Sequence, residues 1–232
     1  MSETHRHFHD ELARLKERVL HMSSRAEDSV RRAVESFLSR DDEAGRDVMN
    51  GDWEIDALEV EVDDRVTGLL ALHQPVAKDL RLILAALKIS NDLERVGDHA
   101  VNIAQSARTY SGLSQMDPEP ELIEMAQCAR EMLGSALTAF VKNDADLGRE
   151  VCKRDDRVDA LNRSIFQRWS TRMAAEPHVI NTAMELMRVS RNLERVADLA
   201  TNIAEDVVFL VEGTSIKHHA EDPSESPATP TQ

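Results

Sequence analysis

Apolar residues recur at intervals of three and four along most of this chain. Leu12, Leu15, Val19, Met22, Ala26, Val30, Ala33 and Phe37 mark one face across residues 8–39, which predicts a long amphipathic helix. Asp41 and Asp42 have the character of a helix cap. A second helix follows to about residue 73, with Val48, Ile55, Val62, Val66 and Leu69 on its apolar face. Gln74-Pro75 interrupts the pattern, and a third helix runs over about residues 76–110 through Leu93, Val96, Ala100, Ile103 and Ala104. Strand-like alternation is absent, so the expected fold class is all-α.

The pattern then repeats. Met125, Ala129, Met132, Ala136 and Phe140 match Met22, Ala26, Ser29, Ala33 and Phe37 at an offset of 103. Val151, Asp155, Val158 and Asp159 match Val48, Asp52, Ile55 and Asp56 at the same offset. A shorter loop near residues 174–178 changes the offset to 100 for the last helix, where SRNLERVADLATNIA (190–204) matches SNDLERVGDHAVNIA (90–104) at ten of fifteen positions. The expected architecture is two tandem, similar three-helix bundles packed side by side. The first repeat is assigned residues 1–112 and the second 113–213, with the linker SGLSQMDPEP (111–120) at their junction. Residues 214–232, rich in Pro, Ser, Thr and Glu, are expected to be disordered.

Acidic residues are placed with the same regularity. Glu94 and Asp98, and again Glu194 and Asp198, stand four apart, which stacks two carboxylates on one helix face. Like charges at that spacing cost a few tenths of a kcal/mol. Sequential helices joined by short loops are antiparallel, so residues equally far from a loop stand at one height. Asp56 lies about 18 residues before the first loop and Glu94 about 19 after it; Asp52 and Asp98 are about 22 and 23 away. In the second repeat Asp155 and Asp159 face Asp198 and Glu194 in the same way. With about 100° per residue, Glu94/Asp98 and Asp52/Asp56 both flank the core, which points to an accessible surface groove. A carboxylate-only donor set suits hard cations, and its crowding permits more than one ion per site. Asn102 and Asn202 continue the stripe as secondary candidates. The competing interpretation is a solvated surface of salt bridges using Arg95, Arg191 and Arg195. His99 has Leu199 as its counterpart and is expected to be incidental, and His5, His7 and His9 are expected in a frayed terminus.

Composition narrows the function classes. The net charge is −15, with one tyrosine and two tryptophans, which argues against binding nucleic acid. Cys128 and Cys152 form no CxxC or Cys/His cluster, so neither a disulfide framework nor a zinc site is indicated. No apolar leader precedes residue 12, and the longest apolar run, 82–87, is far short of a membrane span. A cytoplasmic protein is expected. No GxSxG, Walker loop, dinucleotide fingerprint or ExxH is present, so no catalytic residue is assigned. A metal-dependent hydrolase and a purely structural helical scaffold remain as alternatives.

The duplicated acidic motifs, together with LHQPVAKDLRLILAALKISNDLERVGDHAVNIA (72–104), resemble the PhoU family of phosphate-uptake regulators over about residues 8–212. The resemblance implies two similar three-helix bundles. It further implies a cytoplasmic, non-enzymatic signalling adaptor and negative regulator of the phosphate-starvation response. Its partners would be a sensor histidine kinase and the ATPase of the phosphate ABC transporter, with membrane association only through them and a homodimer as an open option. It also implies multinuclear metal sites, of iron, manganese, magnesium or zinc, on E(D)xxxD motifs. Here those motifs are Asp52/Asp56, Glu94/Asp98, Asp155/Asp159 and Glu194/Asp198. The departures are Gly97 against Ala197, read as inconsequential, and RMAAEPH in place of LHQP at the second loop.

Overall fold

A computed structural model describes residues 3–113 and 119–217, with side chains from residue 6 onward. Every regular element among them is helical: α1 Glu3–Ser39, α2 Asp42–Gly51, α3 Trp53–His73, α4 Ala77–Ser111, α5 Pro120–Lys142, α6 Ala145–Cys152, α7 Asp155–Ala175 and α8 Ile180–Glu212, with one 3-10 turn at Pro177–Val179. Half of the linker (114–118) and most of the expected disordered tail (218–232) lie outside the described residues.

The repeat is visible in the local devices that start and stop the helices. Arg40 and Asn143, equivalent positions after α1 and α5, both adopt positive φ (59° and 52°). Asp41 and Asp144 follow, and each carboxylate accepts a hydrogen bond at 3.0 Å, from Ala44 N and Leu147 N respectively. These are N-caps, which satisfy amides that a first turn otherwise leaves unpaired. Gln74, also at positive φ, closes α3 ahead of Pro75.

The expected second helix is not continuous in either half. It divides into α2 and α3 at Asp52, and into α6 and α7 at Lys153–Arg154. The short helices α2 and α6 press directly on the following long helix. A Cβ at Gly45 would stand 3.2 Å from Ala104 O, and one at Gly148 would stand 3.0 Å from Ala204 O. The apolar series Val48–Ile55–Val62 continues in phase across the break, so periodicity does not register it.

Helices α1 and α5 contact each other on one side of the molecule, while α3, α4, α8 and α7 line up on the other. Helices α4 and α8 are central, and their contacts run antiparallel. Arg81 Nε donates to Leu210 O (3.2 Å), Lys88 Nζ meets Asp206 Oδ1 (3.2 Å) and His99 Nδ1 lies 2.9 Å from Asn192 Oδ1. Asn192 Nδ2 is committed to Arg188 O, so its oxygen accepts and the His99 ring donates. His99 is thus part of the seam between the repeats. One apolar cluster runs from Leu12 through Leu93 and Leu193 to Leu210 and spans both halves.

After α8, Gly213 at φ 78° reverses the chain, and Lys217 Nζ returns to Asp206 Oδ1 at 3.3 Å. The N-terminal end also packs down from Phe8, which is only 9% exposed. His7 stands 3.6 Å from Glu11, and Glu11 Oε2 is 2.9 Å from His73 Nε2, tying α1 to the end of α3. The fraying expected there does not extend to His7 or Phe8, because Phe8 anchors the turn in the core.

Candidate metal centre

The acidic residues sit where helix hairpins bring them, one cluster in each half. In the first, Asp52 occupies the α2–α3 joint, Asp56 the first turn of α3, and Glu94 and Asp98 the middle of α4. Asp52 and Glu94 are half-buried, whereas Asp56 and Asp98 are exposed. Burial, then the charges of Asp56 and Asp98, push the Asp52 carboxyl up to about 6. Glu94 is raised by burial and then by Asp98, Glu59, Asp56 and Asp52. Four carboxylates selected by height therefore feel one another across the hairpin. Among the described residues, no Lys, Arg or His forms an ion pair with any of the four; Arg95 turns instead to Asp92, at 4.0 Å.

A fifth acid belongs to this cluster. Glu59 is raised by burial and by Asp63, Asp56 and Asp98. It lies three residues beyond Asp56, so helical spacing could have revealed it, but its counterpart in the other repeat is Asn162 and the duplication filter removes it. Gly97 matters too. A Cβ there would meet Ile55 Cδ1 at 3.0 Å and Asp52 Oδ1 at 3.1 Å. At the equivalent positions the second copy carries Ala197 and the smaller Val158, so Gly97 and Ile55 form a matched pair, and Gly97 is not interchangeable with alanine at no cost.

The second cluster has the same acids in different company. Asp155 is pushed up to about 6 by burial and by Asp198, Asp159, Asp156 and Glu194. Here arginines intrude: Arg163 pairs with Asp159 at 3.2 Å and Arg195 with Asp198 at 2.7 Å. Glu194 Oε2 is buried without a hydrogen-bond partner, with Arg195 Nε 3.8 Å away. Asn102 and Asn202 are half-buried on the same helices.

As the side chains stand, no group of three or more His, Cys, Asp or Glu among the described residues is close enough to enclose an ion. The donor chemistry nevertheless fits a hard cation. Mutually repelling carboxylates line a solvent-accessible hairpin, and one buried oxygen, Glu194 Oε2, lacks a hydrogen-bond partner.

The model of the PhoU domain matches residues 19–107 and again 122–207, one match for each repeat. The chain belongs to the PhoU family. Among PhoU relatives, the phosphate-specific transport system accessory protein PhoU homolog of Clostridium acetobutylicum is 34% identical over 214 residues, covering 92% of this chain and 98% of that protein. The homolog of the same description from Aquifex aeolicus is 35% identical over 208 residues, covering 90% and 94%. The crystal structure of PhoU from Pseudomonas aeruginosa superposes with a TM-score of 0.85 at 34% identity, over 89% of this chain and all of that one (100%). The phosphate transport system regulatory protein PhoU of Streptococcus pneumoniae gives 0.84 at 26% identity, over 90% and 98%. No helix among the described residues is long and apolar enough to cross a membrane.

Proposed function

We propose that this PhoU protein is a cytoplasmic, non-enzymatic adaptor that restrains the phosphate-starvation response. It couples the ATPase of the phosphate ABC transporter to a sensor histidine kinase. The observation that carries this reading is coverage: both repeats match the family domain, and relatives described as phosphate-transport accessory proteins align over nearly their whole length. A strain lacking the protein should express a phosphate-starvation reporter in high phosphate, and the restored gene should silence it. A reporter that stays silent in the deletion strain rejects the regulatory role.

Each half is proposed to hold one or more metal ions, of iron, manganese, magnesium or zinc. Asp52, Asp56, Glu94 and Asp98 supply the first site; Asp155, Asp159, Glu194 and Asp198 supply the second. Support comes from the mutual repulsion of the carboxylates, which a cation would relieve. Glu94→Ala/Asp98→Ala should lower the metal content of protein purified without chelator while leaving the helical circular-dichroism signal unchanged. Unaltered metal content by elemental analysis would remove the first-site assignment.

A further inference from the structure

The two halves share a scaffold but differ in the residues that line one groove between the second and third helices. In the second half, α7 and α8 enclose a trough of about 620 Å³. Met187 lies in its floor, and Phe166 and Met184 stand 61% and 51% exposed on its walls. Arg163, Arg188 and Arg191 surround it. At the equivalent positions the first half carries Asp63 for Phe166, Leu84 and Leu87 for the two methionines, and Val60, Lys88 and Asn91 for the arginines. Three arginines thus gather on one groove of a chain whose net charge is −15.

The arginines are only partly neutralised. Arg163 shares Asp159 at 3.2 Å with its own side chain 69% exposed, and Arg188 lies 3.6 Å from Glu185 with its side chain 52% exposed. Arg191 forms no ion pair among the described residues. Ser190 donates to Asn162 Oδ1 at the base, so the polar groups of the floor are satisfied internally. What remains open is an apolar patch of Phe166, Met184 and Met187, bordered by guanidinium groups, in a trough whose α8 lining runs from Met184 to Asn192, about two helical turns.

The geometry points to this trough as the docking site for an acidic amphipathic helix of a partner protein, apolar side chains on Phe166, Met184 and Met187 and carboxylates on the arginines. A helix laid in a groove between two helices presents anchors at i, i+4 and i+7, a span of about two turns, which matches the length of the trough. Methionine and arginine both adapt to and recognise such a partner. The chain's own segment 218–232 has acids but no Leu, Ile, Val, Met or aromatic residue to fill the floor. The trough serves the adaptor role proposed above. A failed titration would remove the trough and leave that role standing, whereas a silent reporter would remove the role and leave the trough.

The test is a titration of the full chain with a synthetic helix bearing Leu and Phe on one face and Glu on the other, read by the methyl resonances of Met184 and Met187. Saturable binding is expected, weakened by added salt and by about tenfold or more in Arg163→Glu/Arg191→Glu, equivalent to about 1.4 kcal/mol or more. Phe166→Ala, which leaves the charges in place, should weaken it as well. Equal binding of a peptide with Lys in place of Glu overturns the proposal, as does indifference to either variant. So does a tenfold gain in affinity on deleting residues 218–232, which would put the chain's own tail in the trough. A dimer in sedimentation that Arg163→Glu/Arg191→Glu dissolves would overturn it in favour of a second copy.

Discussion

Asp52 is the residue on which the electrostatics of the first cluster converge. Its carboxyl is raised from 3.8 to about 6. The ionised form is therefore penalised in the folded protein relative to the unfolded chain, and folding is favoured as pH falls from about 6 towards 4. Above about 6 the penalty is present in full. Asp52→Asn should accordingly raise the melting temperature at pH 7 in chelator, and that advantage should disappear below about pH 3, where the unfolded carboxyl is itself protonated. With saturating manganese the order should reverse, because only the parent gains the linkage stabilisation of a bound ion. Melting curves at both pH values with and without metal decide the matter, and a variant less stable than the parent at pH 7 in chelator would contradict it. The pairing of Asp52 and Asp56 with Asp98 and Glu94 was legible from residue counting, because helix hairpins convert distance from a loop into height. Glu59 was not, because reliance on duplication discards any residue present in one repeat alone.

At the scale of the element, the α3–α4 contact turns on the fit between Gly97 and Ile55. Gly97→Ala gains about 1 kcal/mol of helix propensity but forces a buried Ile55 methyl and the Asp52 carboxylate to move. We expect a net loss of up to about 2 kcal/mol for Gly97→Ala alone. Adding Ile55→Val should rescue it, since Ala197 and Val158 already form that combination in the other half. A double-mutant cycle by urea unfolding measures the coupling, and additive effects would exclude it. The three-helix plan of each repeat was readable from the spacing of apolar residues and the caps. The division of the second helix was not, because its apolar face keeps phase through Asp52 while α2 is held against α4 by close backbone approach at Gly45.

At the scale of the whole molecule, the seam is built from residues that differ between the repeats. Asp206, only 2% exposed, has Ser106 as its counterpart; Asn192 has Asp92, and His99 has Leu199. Comparing identical positions therefore exposes the shared helices and conceals what joins them. Asp206 is served by two lysines, Lys88 and Lys217, while burial and the charge of Asp206 push neighbouring Asp92 up to about 6. Lys88→Met/Lys217→Met leaves a buried carboxylate without its cations. A loss of about 3 kcal/mol or more is expected, visible in chemical denaturation, with either single change costing much less. Equal stability of the double variant and the parent would remove this role for the two lysines.

The antiparallel meeting of α4 and α8 also bears on how such a chain arises by duplication. Half of this molecule on its own would expose the face of its third helix that the other half covers, and a second identical half would be the natural cover. An ancestor of one repeat would then be an obligate pair, fused later when the gene doubled. Once fused, each side of the seam would be free to change alone, which is how position 206 could come to hold an aspartate where position 106 holds a serine. The present first half could no longer restore that pair faithfully: against its own copy, Lys88 would find Ser106 and His99 would find Asp92.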